Sequence, residues 1–357
     1  MSKVRIGFVG TGSMGQMAHL RNYVTIEDCE VAAIAEVRQE TGKLVATRYG
    51  IPKVYPDHKA MLAAEKLDGI VASQGFDRHA VLLPELYGGA KYLFTEKPLA
   101  VAVEAGEKLV AQAKSAGCTH MVGYHKRSDP VTMFAKGLIN EWKASGKYGA
   151  LRYVRILMPA GDWVANGFIG MLNAGDKAPP LAKEVEGIWK SPKLPNMDEK
   201  TAQQYIGFVN YYIHQVNYMR YMLGEPYQVT YAEPSGVLLA VRSTSGIPGV
   251  IEMTPYQTSI EWEESIFVAF QKAYMIIRLP APLASNRAGT VEVYEDAGKS
   301  ETPKRWSPTL PWVHAMRQQA INFVKVCKGE MAPPCGDAEA AEDLRVARQY
   351  IQLRYGQ

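Results

Sequence analysis

Phe94-Thr95-Glu96-Lys97-Pro98 ends an apolar run and brings a carboxylate, a lysine and a proline together. The run begins at Tyr92, after the turn Gly88-Gly89, and predicts a buried strand of a parallel sheet. Lys97 would then emerge at the carboxyl edge of that sheet, where open α/β sheets bind their ligands. Because a residue before proline is kept out of the helical region, we expect Lys97 to be extended and a new element to begin near Leu99.

A glycine-rich turn near the start of the chain follows a predicted strand, Val4 to Val9, and opens a predicted helix. Its first glycine permits a tight turn, its second lets a pyrophosphate approach the backbone, and its third lets the helix pack on the strand. The phosphates would meet the positive end of the helix. The predicted cofactor-binding residues in this turn are Gly10, Thr11, Gly12, Ser13, Met14 and Gly15.

An acidic residue ends the second predicted strand, Val31 to Ala35. Glu36 is placed to accept hydrogen bonds from the adenosine ribose hydroxyls, and its charge would repel a 2′-phosphate. The sequence therefore predicts NAD. Arg38 keeps NADP as the less favoured cofactor, or stacks on the adenine ring.

Two further segments extend the predicted cofactor contacts. The strand Gly69 to Ala72 opens on Ser73 and Gln74, which suit a loop beneath the nicotinamide. His79 is either a cofactor contact or a residue of the first turn of the next helix, and the sequence favours neither. With the elements that follow, we expect a doubly wound sheet of about six strands.

Composition limits the function classes. At 357 residues the chain is long enough for two domains, and 47% hydrophobic with 21% charged residues is typical of soluble globular proteins. The net charge of +4 is spread without a basic block, which argues against nucleic-acid and membrane-surface binding. With no predicted signal or membrane-spanning segment, we expect a cytoplasmic protein. No metal motif is present, and reduced thiols are expected at Cys29, Cys118, Cys327 and Cys335.

A second decisive element is the helix predicted over Ala202 to Leu223, which Gly224 ends. Its apolar residues recur at helical spacing and predict one buried stripe. On a neighbouring stripe Asn210, His214 and Asn217 fall at i, i+4 and i+7. This arrangement predicts three polar groups on one side of the helix.

The glycine turn, Glu36, the Glu96-Lys97-Pro98 tripeptide and His214 together resemble the glucose-fructose oxidoreductase, inositol dehydrogenase and MocA-type (Gfo/Idh/MocA) family. The resemblance spans nearly the whole chain, and the tripeptide is its most specific element. It implies an α/β protein with an N-terminal Rossmann domain, a doubly wound parallel sheet, over residues 1–124. It also implies a C-terminal α/β domain for substrate binding and oligomerisation over residues 125–357, with a large, mostly antiparallel open sheet. The C-terminal helices could pack back on the first domain.

The resemblance also implies roles for two residues, because in similar enzymes this histidine meets the tripeptide lysine at the substrate carbinol. Oxidising a secondary alcohol requires hydride delivery to nicotinamide and removal of the hydroxyl proton. Histidine, with an ordinary pKa of about 6.5, serves as a base at neutral pH, whereas lysine, at about 10.4, must first be depressed. We predict His214 as the main base, Lys97 as a donor to the same oxygen, and Glu96 as a support for Lys97 or the cofactor amide. The alternative for His214 is a hydrogen bond within a helix interface.

The chain departs from the family pattern at two positions. Similar proteins commonly carry an aspartate where this chain has Asn210, and an aromatic residue where it has Ser128. Asparagine cannot stabilise an imidazolium by charge, so we expect His214 to be less basic than its counterparts.

Substrate contacts are expected at the crossover after the last Rossmann strand and in an insertion over residues 158–200. The crossover carries cations and hydrogen-bond donors, and the long insertion contains aromatic residues on which sugar rings can pack. Either tryptophan of the insertion could instead anchor the loop. The predicted substrate-binding residues are Lys97, Tyr124, His125, Lys126, Asp162, Trp163, Asn210 and His214.

The sequence therefore predicts an NAD-dependent oxidoreductase acting on a ring hydroxyl of a sugar, glycoside or cyclitol, with the aromatic insertion favouring a glycoside. Two alternatives remain. One is an NAD-dependent glycosidase that uses transient oxidation to acidify a neighbouring C–H, and the other is a non-catalytic regulator that binds NAD or sugar. Since helices would cover only one face of the second sheet, we expect a homodimer, homotetramer or larger assembly.

Overall fold

The computed structural model describes residues 3–299 and 301–356. The chain divides into two compact units. The first unit comprises Met1–Tyr124, Gly167–Asn210 and Met316–Leu344, and the second comprises His125–Asn166, Tyr211–Ala315 and Arg345–Gln357. The first unit therefore includes two segments that lie beyond residue 124, where the sequence predicts a single division between the domains.

The strands, in chain order, are β1 (Val4–Val9), β2 (Cys29–Ala35), β3 (Val54–Tyr55), β4 (Gly69–Ala72), β5 (Tyr92–Glu96), β6 (Thr119–Gly123), β7 (Leu151–Ala160), β8 (Tyr227–Ala232), β9 (Leu238–Ser243), β10 (Pro248–Gln257), β11 (Glu264–Phe270), β12 (Ala273–Leu279), β13 (Thr290–Glu295) and β14 (Lys304–Trp306).

The α-helices are α1 (Arg21–Tyr23), α2 (Gln39–Tyr49), α3 (His58–Ala64), α4 (His79–Leu86), α5 (Val103–Ser115), α6 (Pro130–Ser145), α7 (Glu199–Tyr211), α8 (Ile213–Leu223), α9 (Ala315–Cys327) and α10 (Asp337–Tyr355). A π-helix over Gly15–Leu20 precedes α1, and 3₁₀ turns cover Phe76–Arg78 and His125–Ser128. Across the described residues, no helix combines the length and apolar character needed to cross a membrane.

The first unit is built on a parallel sheet with the strand order β3-β2-β1-β4-β5-β6. Its strands are almost continuously buried, as expected for a sheet with helices on both faces. Strands β2 and β3 are added on one side of β1, and β4, β5 and β6 are added on the other side. This change of side between β1 and β4 leaves a crevice at the carboxyl edge of the sheet. This sheet confirms the predicted doubly wound fold.

Residues near the C-terminus complete the core of this first unit. Phe323, on α9, is fully buried, and its ring centroid lies 5.7 Å from that of Phe94 and 6.4 Å from that of Tyr23. Tyr23 in turn packs edge-on against Phe8 of β1 at 5.3 Å. The C-terminal segment is therefore an integral part of the core rather than a peripheral addition.

The second unit is built on an eight-stranded sheet with the order β14-β13-β12-β11-β7-β10-β9-β8. Every neighbouring pair is antiparallel except β7 and β10. Helices α6 and α8 pack on one face, against a buried set that includes Phe270 of β11. This sheet confirms the predicted mostly antiparallel second sheet.

The opposite face of the second sheet carries a row of partly exposed aromatic side chains. The ring of Phe267 lies 6.5 Å from that of Tyr153 and 5.6 Å from that of Tyr274, which stacks on Tyr294 at 5.2 Å. We call these four residues the aromatic row. It crosses four neighbouring strands, β7, β11, β12 and β13.

The long helix predicted over Ala202 to Leu223 is wrong in one respect, because the structure divides it into α7 and α8 at Tyr212. This residue has φ −95° and ψ −1°, and its carbonyl accepts hydrogen bonds from Gln215 and Val216, which begin the second helix. The break falls where the chain passes from the first unit to the second. The regular stripe predicted for Asn210, His214 and Asn217 is therefore interrupted.

Replacing Phe323 with alanine should lower the free energy of unfolding by about 3–5 kcal/mol, because it leaves a cavity among packed aromatic rings. Lys325→Ala, on an exposed position of the same helix, should change it by less than about 0.5 kcal/mol. Urea unfolding followed by tryptophan fluorescence measures both. Equal effects of the two substitutions would show that α9 is not part of the core.

Candidate cofactor and catalytic site

The glycine turn after β1 presents one open position between two closely packed ones. A Cβ on Gly10 would lie 1.9 Å from the Gln74 amide nitrogen, and a Cβ on Gly15 would lie 2.7 Å from the Gly10 carbonyl oxygen. No atom would lie within 4 Å of a Cβ on Gly12. Ser13 and Met14 follow in the first turn of the helix, with Ser13 exposed. Backbone facing open space at a helix N-terminus fits a dinucleotide pyrophosphate.

Glu36 follows β2 as a buried carboxylate that accepts five hydrogen bonds. Two come from the Thr11 amide and hydroxyl, and three come from the Arg38 amide, Nε and one terminal nitrogen, at 2.7–3.0 Å. Burial acts to raise the pKa of Glu36, but the hydrogen bonds from Arg38 and Thr11 outweigh it and hold the pKa below its ordinary value. Glu36 is therefore ionised at neutral pH, and a ribose hydroxyl would replace one of its present donors.

The loop after β4 lies against the glycine turn. The Ser73 amide and the Gln74 side-chain amide both donate to the Val9 carbonyl, at 3.0 and 3.1 Å, and Gln74 also accepts a hydrogen bond from Arg78. Both residues stay partly exposed. The predicted loop residues are thus positioned by the end of β1.

His79 has the structural role that the sequence left open. It is fully buried, and its Nδ1 lies 3.1 Å from the carbonyl oxygens of Pro98 and Leu99. Burial lowers the pKa of His79 below its ordinary value. His79 is therefore a neutral interior imidazole that ties α4 to the segment after β5.

At the end of β5, the carboxylate of Glu96 joins two parts of the first unit. One oxygen accepts a hydrogen bond from His19 Nε2 at 2.6 Å, and the other accepts one from the Lys97 amide at 3.2 Å. Burial acts to raise the pKa of Glu96, but the His19 and Lys97 interactions outweigh it and keep the pKa below its ordinary value. Glu96 therefore holds the backbone of Lys97.

The side chain of Lys97 is half-buried, and its ammonium donates a 2.6 Å hydrogen bond to the carbonyl oxygen of Asn210. The peptide bond between Lys97 and Pro98 is cis. Asn210 is the last residue of the segment Gly167–Asn210, which belongs to the first unit. Within this unit the structure thus brings Lys97 together with one predicted substrate residue.

His19 is a site residue that sequence reasoning missed. It lies in the π-helix Gly15–Leu20 with only 1% of its side chain exposed, and its ring packs edge-on against Phe94 at 5.1 Å. π-Helical turns occur frequently at functional sites and cannot be read from residue patterns. The available signal was a histidine on a helix whose other residues are mostly apolar.

In the second unit, His214 lies in the first turn of α8 beside a second imidazole. Its ring meets that of His125 edge-on, with the centroids 4.7 Å apart. His125 belongs to the 3₁₀ turn that follows Tyr124, which is itself buried. Two predicted substrate residues, His125 and His214, are thus adjacent.

The neighbours of these histidines have interior partners. Lys126 forms a buried ion pair with Glu264, which also accepts a 2.7 Å hydrogen bond from Gln215. Arg127 Nε donates to Asn217 Oδ1 at 2.6 Å. Lys126 therefore neutralises a buried carboxylate, and Asn217 orients Arg127.

Asp162 and Trp163 lie near the start of the insertion, in the segment His125–Asn166 of the second unit. One Asp162 oxygen accepts hydrogen bonds from the Val164 and Ala165 amides, both at 3.0 Å, so this carboxylate stabilises a turn. Trp163 is 38% exposed, and its carbonyl accepts a hydrogen bond from Leu283. Of the two, only Trp163 presents a surface on which a sugar ring could pack.

The rest of the insertion lies in the segment Gly167–Asn210 of the first unit, and its contacts lie along the carboxyl edge of that unit's sheet. Leu172 exchanges two 2.9 Å hydrogen bonds with the Gln16 side chain, and Asp176 accepts hydrogen bonds from the start of α2. Glu184 accepts hydrogen bonds from the Val101 and Ala102 amides at 3.0 and 2.7 Å. These contacts were not predicted, because each joins residues more than 80 positions apart.

Comparisons with known proteins agree with this geometry. Residues 4–124 match the model of the oxidoreductase family with an NAD-binding Rossmann fold, GFO_IDH_MocA. A myo-inositol 2-dehydrogenase of Thermotoga maritima is 23% identical over 232 residues, which cover 65% of this chain and 58% of that protein. The match therefore spans less than two-thirds of this relative.

Two solved structures share the fold over nearly the whole chain. A levoglucosan dehydrogenase in complex with NADH and levoglucosan has a TM-score of 0.72 at 16% identity, covering 99% of this chain and 98% of that one. A 3-ketoreductase from Actinomadura kijaniata in complex with TDP-benzene and NADP has a TM-score of 0.66 at 13% identity, covering 97% and 96%. At these identities the likeness shows the fold alone.

The strand order of the first sheet, the open glycine turn and the family match fall on the same residues. Residues 4–124 carry all six strands of that sheet, together with Glu36 and Lys97. Over residues 4–124, this chain is therefore similar to the NAD-binding Rossmann region of the Gfo/Idh/MocA oxidoreductase family.

Proposed function

We propose that the chain is an NAD-dependent oxidoreductase that acts on a ring secondary hydroxyl, or the corresponding ketone, of a sugar, glycoside or cyclitol. The observation that carries the proposal is the position of Lys97, which directly follows β5 at the carboxyl edge of the parallel sheet. The glycine turn that fits a dinucleotide follows β1 at the same edge. The names of similar proteins, an inositol dehydrogenase and a levoglucosan dehydrogenase, support this substrate class.

The residues around the open turn would hold the cofactor. Gly12 would lie against the pyrophosphate, and Glu36 would accept hydrogen bonds from the adenosine ribose hydroxyls. Ser73 and Gln74 would lie beneath the nicotinamide. When bound, the nicotinamide accepts or returns a hydride. The side chains of the protein must therefore accept the proton of the reacting oxygen, or return it in the reverse direction.

Lys97 would donate a hydrogen bond to the reacting oxygen in place of the Asn210 carbonyl that it now contacts. Its ammonium would stabilise the negative charge that develops on that oxygen as the proton leaves. The fixed Glu96 carboxylate holds the Lys97 backbone, so the ammonium reaches the substrate without reorganising the strand. Lys97 is thus the electrostatic partner of the reaction.

His214 would accept the hydroxyl proton. It follows Asn210 by four positions in the chain, and its ring direction is constrained by the edge-on contact with His125. An imidazole accepts a proton near neutral pH without large tuning. In the reverse direction the same group would return the proton.

We also place the protein in the cytoplasm. Its four cysteines are free thiols, two of them buried, which suits a reducing compartment. Fractionation of the source cells checks this location.

Lys97→Ala and His214→Ala should each lower turnover by about 10²–10⁴-fold, as expected for loss of an electrostatic partner or a base. NADH binding should change little. The measurement is NADH absorbance with NAD and a panel of monosaccharides, glycosides and inositols, with Lys59→Ala, an exposed lysine on α3, as the control. Unchanged turnover in His214→Ala would contradict the proposal that His214 is the base and would assign it a structural role.

The same panel separates the alternative functions. Release of an aglycone without net NADH would replace the dehydrogenase with a glycosidase that uses transient oxidation. Tight binding of cofactor and sugar with neither product would indicate a regulator. Net NADH formation lost in both variants supports the dehydrogenase.

We further propose that the aromatic row is covered by a second copy of the chain. Four aromatic rings in contact across four strands form an apolar surface of the kind that subunit interfaces bury. Tyr274→Lys should therefore lower the molar mass measured by light scattering after size-exclusion chromatography. Leu44→Lys, an exposed apolar position on α2, is the control, and an unchanged mass in Tyr274→Lys would contradict the proposal.

A further inference from the structure

The loop from β2 into α2 contains two features that a 2′-phosphate of NADP would use. One is the guanidinium of Arg38, since an arginine at this point of a Rossmann fold accommodates that phosphate. The other is the N-terminus of α2, an 11-residue helix whose first amides and dipole favour an anion. On these features alone, the site could accept either cofactor.

Carboxylates of the chain itself occupy both features. Glu36 accepts hydrogen bonds from Arg38 Nε and a terminal nitrogen, at 3.0 and 2.9 Å. Asp176 occupies the helix N-terminus, where it accepts hydrogen bonds from the Glu40 amide at 2.9 Å and from the amide and hydroxyl of Thr41. The first carboxylate lies at the end of β2, as the sequence predicts, but the second comes from 135 positions further along the chain than Thr41.

The segment that precedes Asp176 holds it in this place. Two residues before it, the Ala174 amide donates to the Thr41 hydroxyl at 3.1 Å. Leu172 exchanges its two backbone hydrogen bonds with the Gln16 side chain, next to the glycine turn. A segment anchored at both the pyrophosphate turn and α2 keeps the carboxylate beside the ribose end of the cofactor site.

Asp176 carries a negative charge that raises the pKa of Arg38. The Thr41 hydrogen bond, with smaller contributions from the Glu40 and Thr41 amides, lowers the pKa of Asp176 below its ordinary value, so it is ionised at neutral pH. The pKa of Arg38 is raised first by its hydrogen bond to Glu36 and also by the charge of Asp176. Two negative charges, those of Glu36 and Asp176, therefore act on the Arg38 guanidinium.

We infer that Asp176 is a second specificity-determining residue, which excludes the 2′-phosphate of NADP by occupying the N-terminus of α2 and by like-charge repulsion. This inference rests on the proposed NAD-dependent function and extends it. Glu36 alone leaves the helix N-terminus available to an anion, and Asp176 removes that option.

The test measures binding rather than turnover. NADH and NADPH are titrated into the purified full-length protein, and the fluorescence of the reduced nicotinamide reports the dissociation constants. Asp176→Asn keeps an oxygen that can cap the helix but removes the charge. We expect it to tighten NADPH binding by about tenfold while NADH binding changes less than about twofold.

Glu184→Gln is the matched control. Glu184 lies in the same segment and also accepts hydrogen bonds from two backbone amides, but those amides, of Val101 and Ala102, follow β5 rather than β2. Its substitution should leave the ratio of the two dissociation constants unchanged. Asp176→Ser, which caps the helix with a neutral hydroxyl, is a second variant should Asp176→Asn fail to fold.

The dependence of cofactor binding on salt concentration distinguishes repulsion between charges from a steric effect. In the unmodified protein, the ratio of the NADPH and NADH dissociation constants should fall as the salt concentration rises toward about 1 M. At that concentration, charges more than about 3 Å apart are screened. An unchanged preference in both Asp176 variants, or an equal change in Glu184→Gln, would overturn the inference and leave the proposed function intact. Failure of the unmodified protein to bind either cofactor would instead overturn the proposed function and the inference with it.

Discussion

The site depends on one buried carboxylate, Glu96, held between His19 Nε2 at 2.6 Å and the Lys97 amide. An ionised carboxylate in the interior is tolerated only while its oxygens have donors, so both contacts are required by the same charge. Because His19 lies just beyond the glycine turn, this interaction fixes β5 against the segment that would receive the pyrophosphate. The direction in which Lys97 leaves the sheet therefore depends on the π-helix of a distant segment.

The first unit obtains its remaining parts from two segments far along the chain. Phe323 of α9 fills the core beneath the sheet, and Gly167–Asn210 follows the carboxyl edge above it. That edge segment supplies Asp176 and Glu184, each of which satisfies backbone amides that would otherwise require water or a ligand. It also supplies the Asn210 carbonyl that receives the Lys97 ammonium. The cofactor region is thus a product of three stretches of sequence.

Local patterns explain what could be predicted from the sequence. The glycine spacing, the acidic end of β2 and the tripeptide after β5 each depend on neighbouring residues, and they indicated the Rossmann sheet. The family resemblance carried by these motifs implied the mostly antiparallel second sheet. What could not be predicted depends on contacts over long separations, such as His19 with Glu96 across 77 positions or Arg127 with Asn217 across 90. The break at Tyr212 was missed because the apolar spacing continues through it.

The most direct test of the proposed site is a crystal structure of the protein with NADH. We expect the pyrophosphate against Gly12, the adenosine ribose at Glu36, and the nicotinamide at the end of β5 with the Lys97 ammonium turned from Asn210 toward it. A nicotinamide ring on the far side of the sheet edge from Lys97, or a cofactor bound away from the glycine turn, would contradict it.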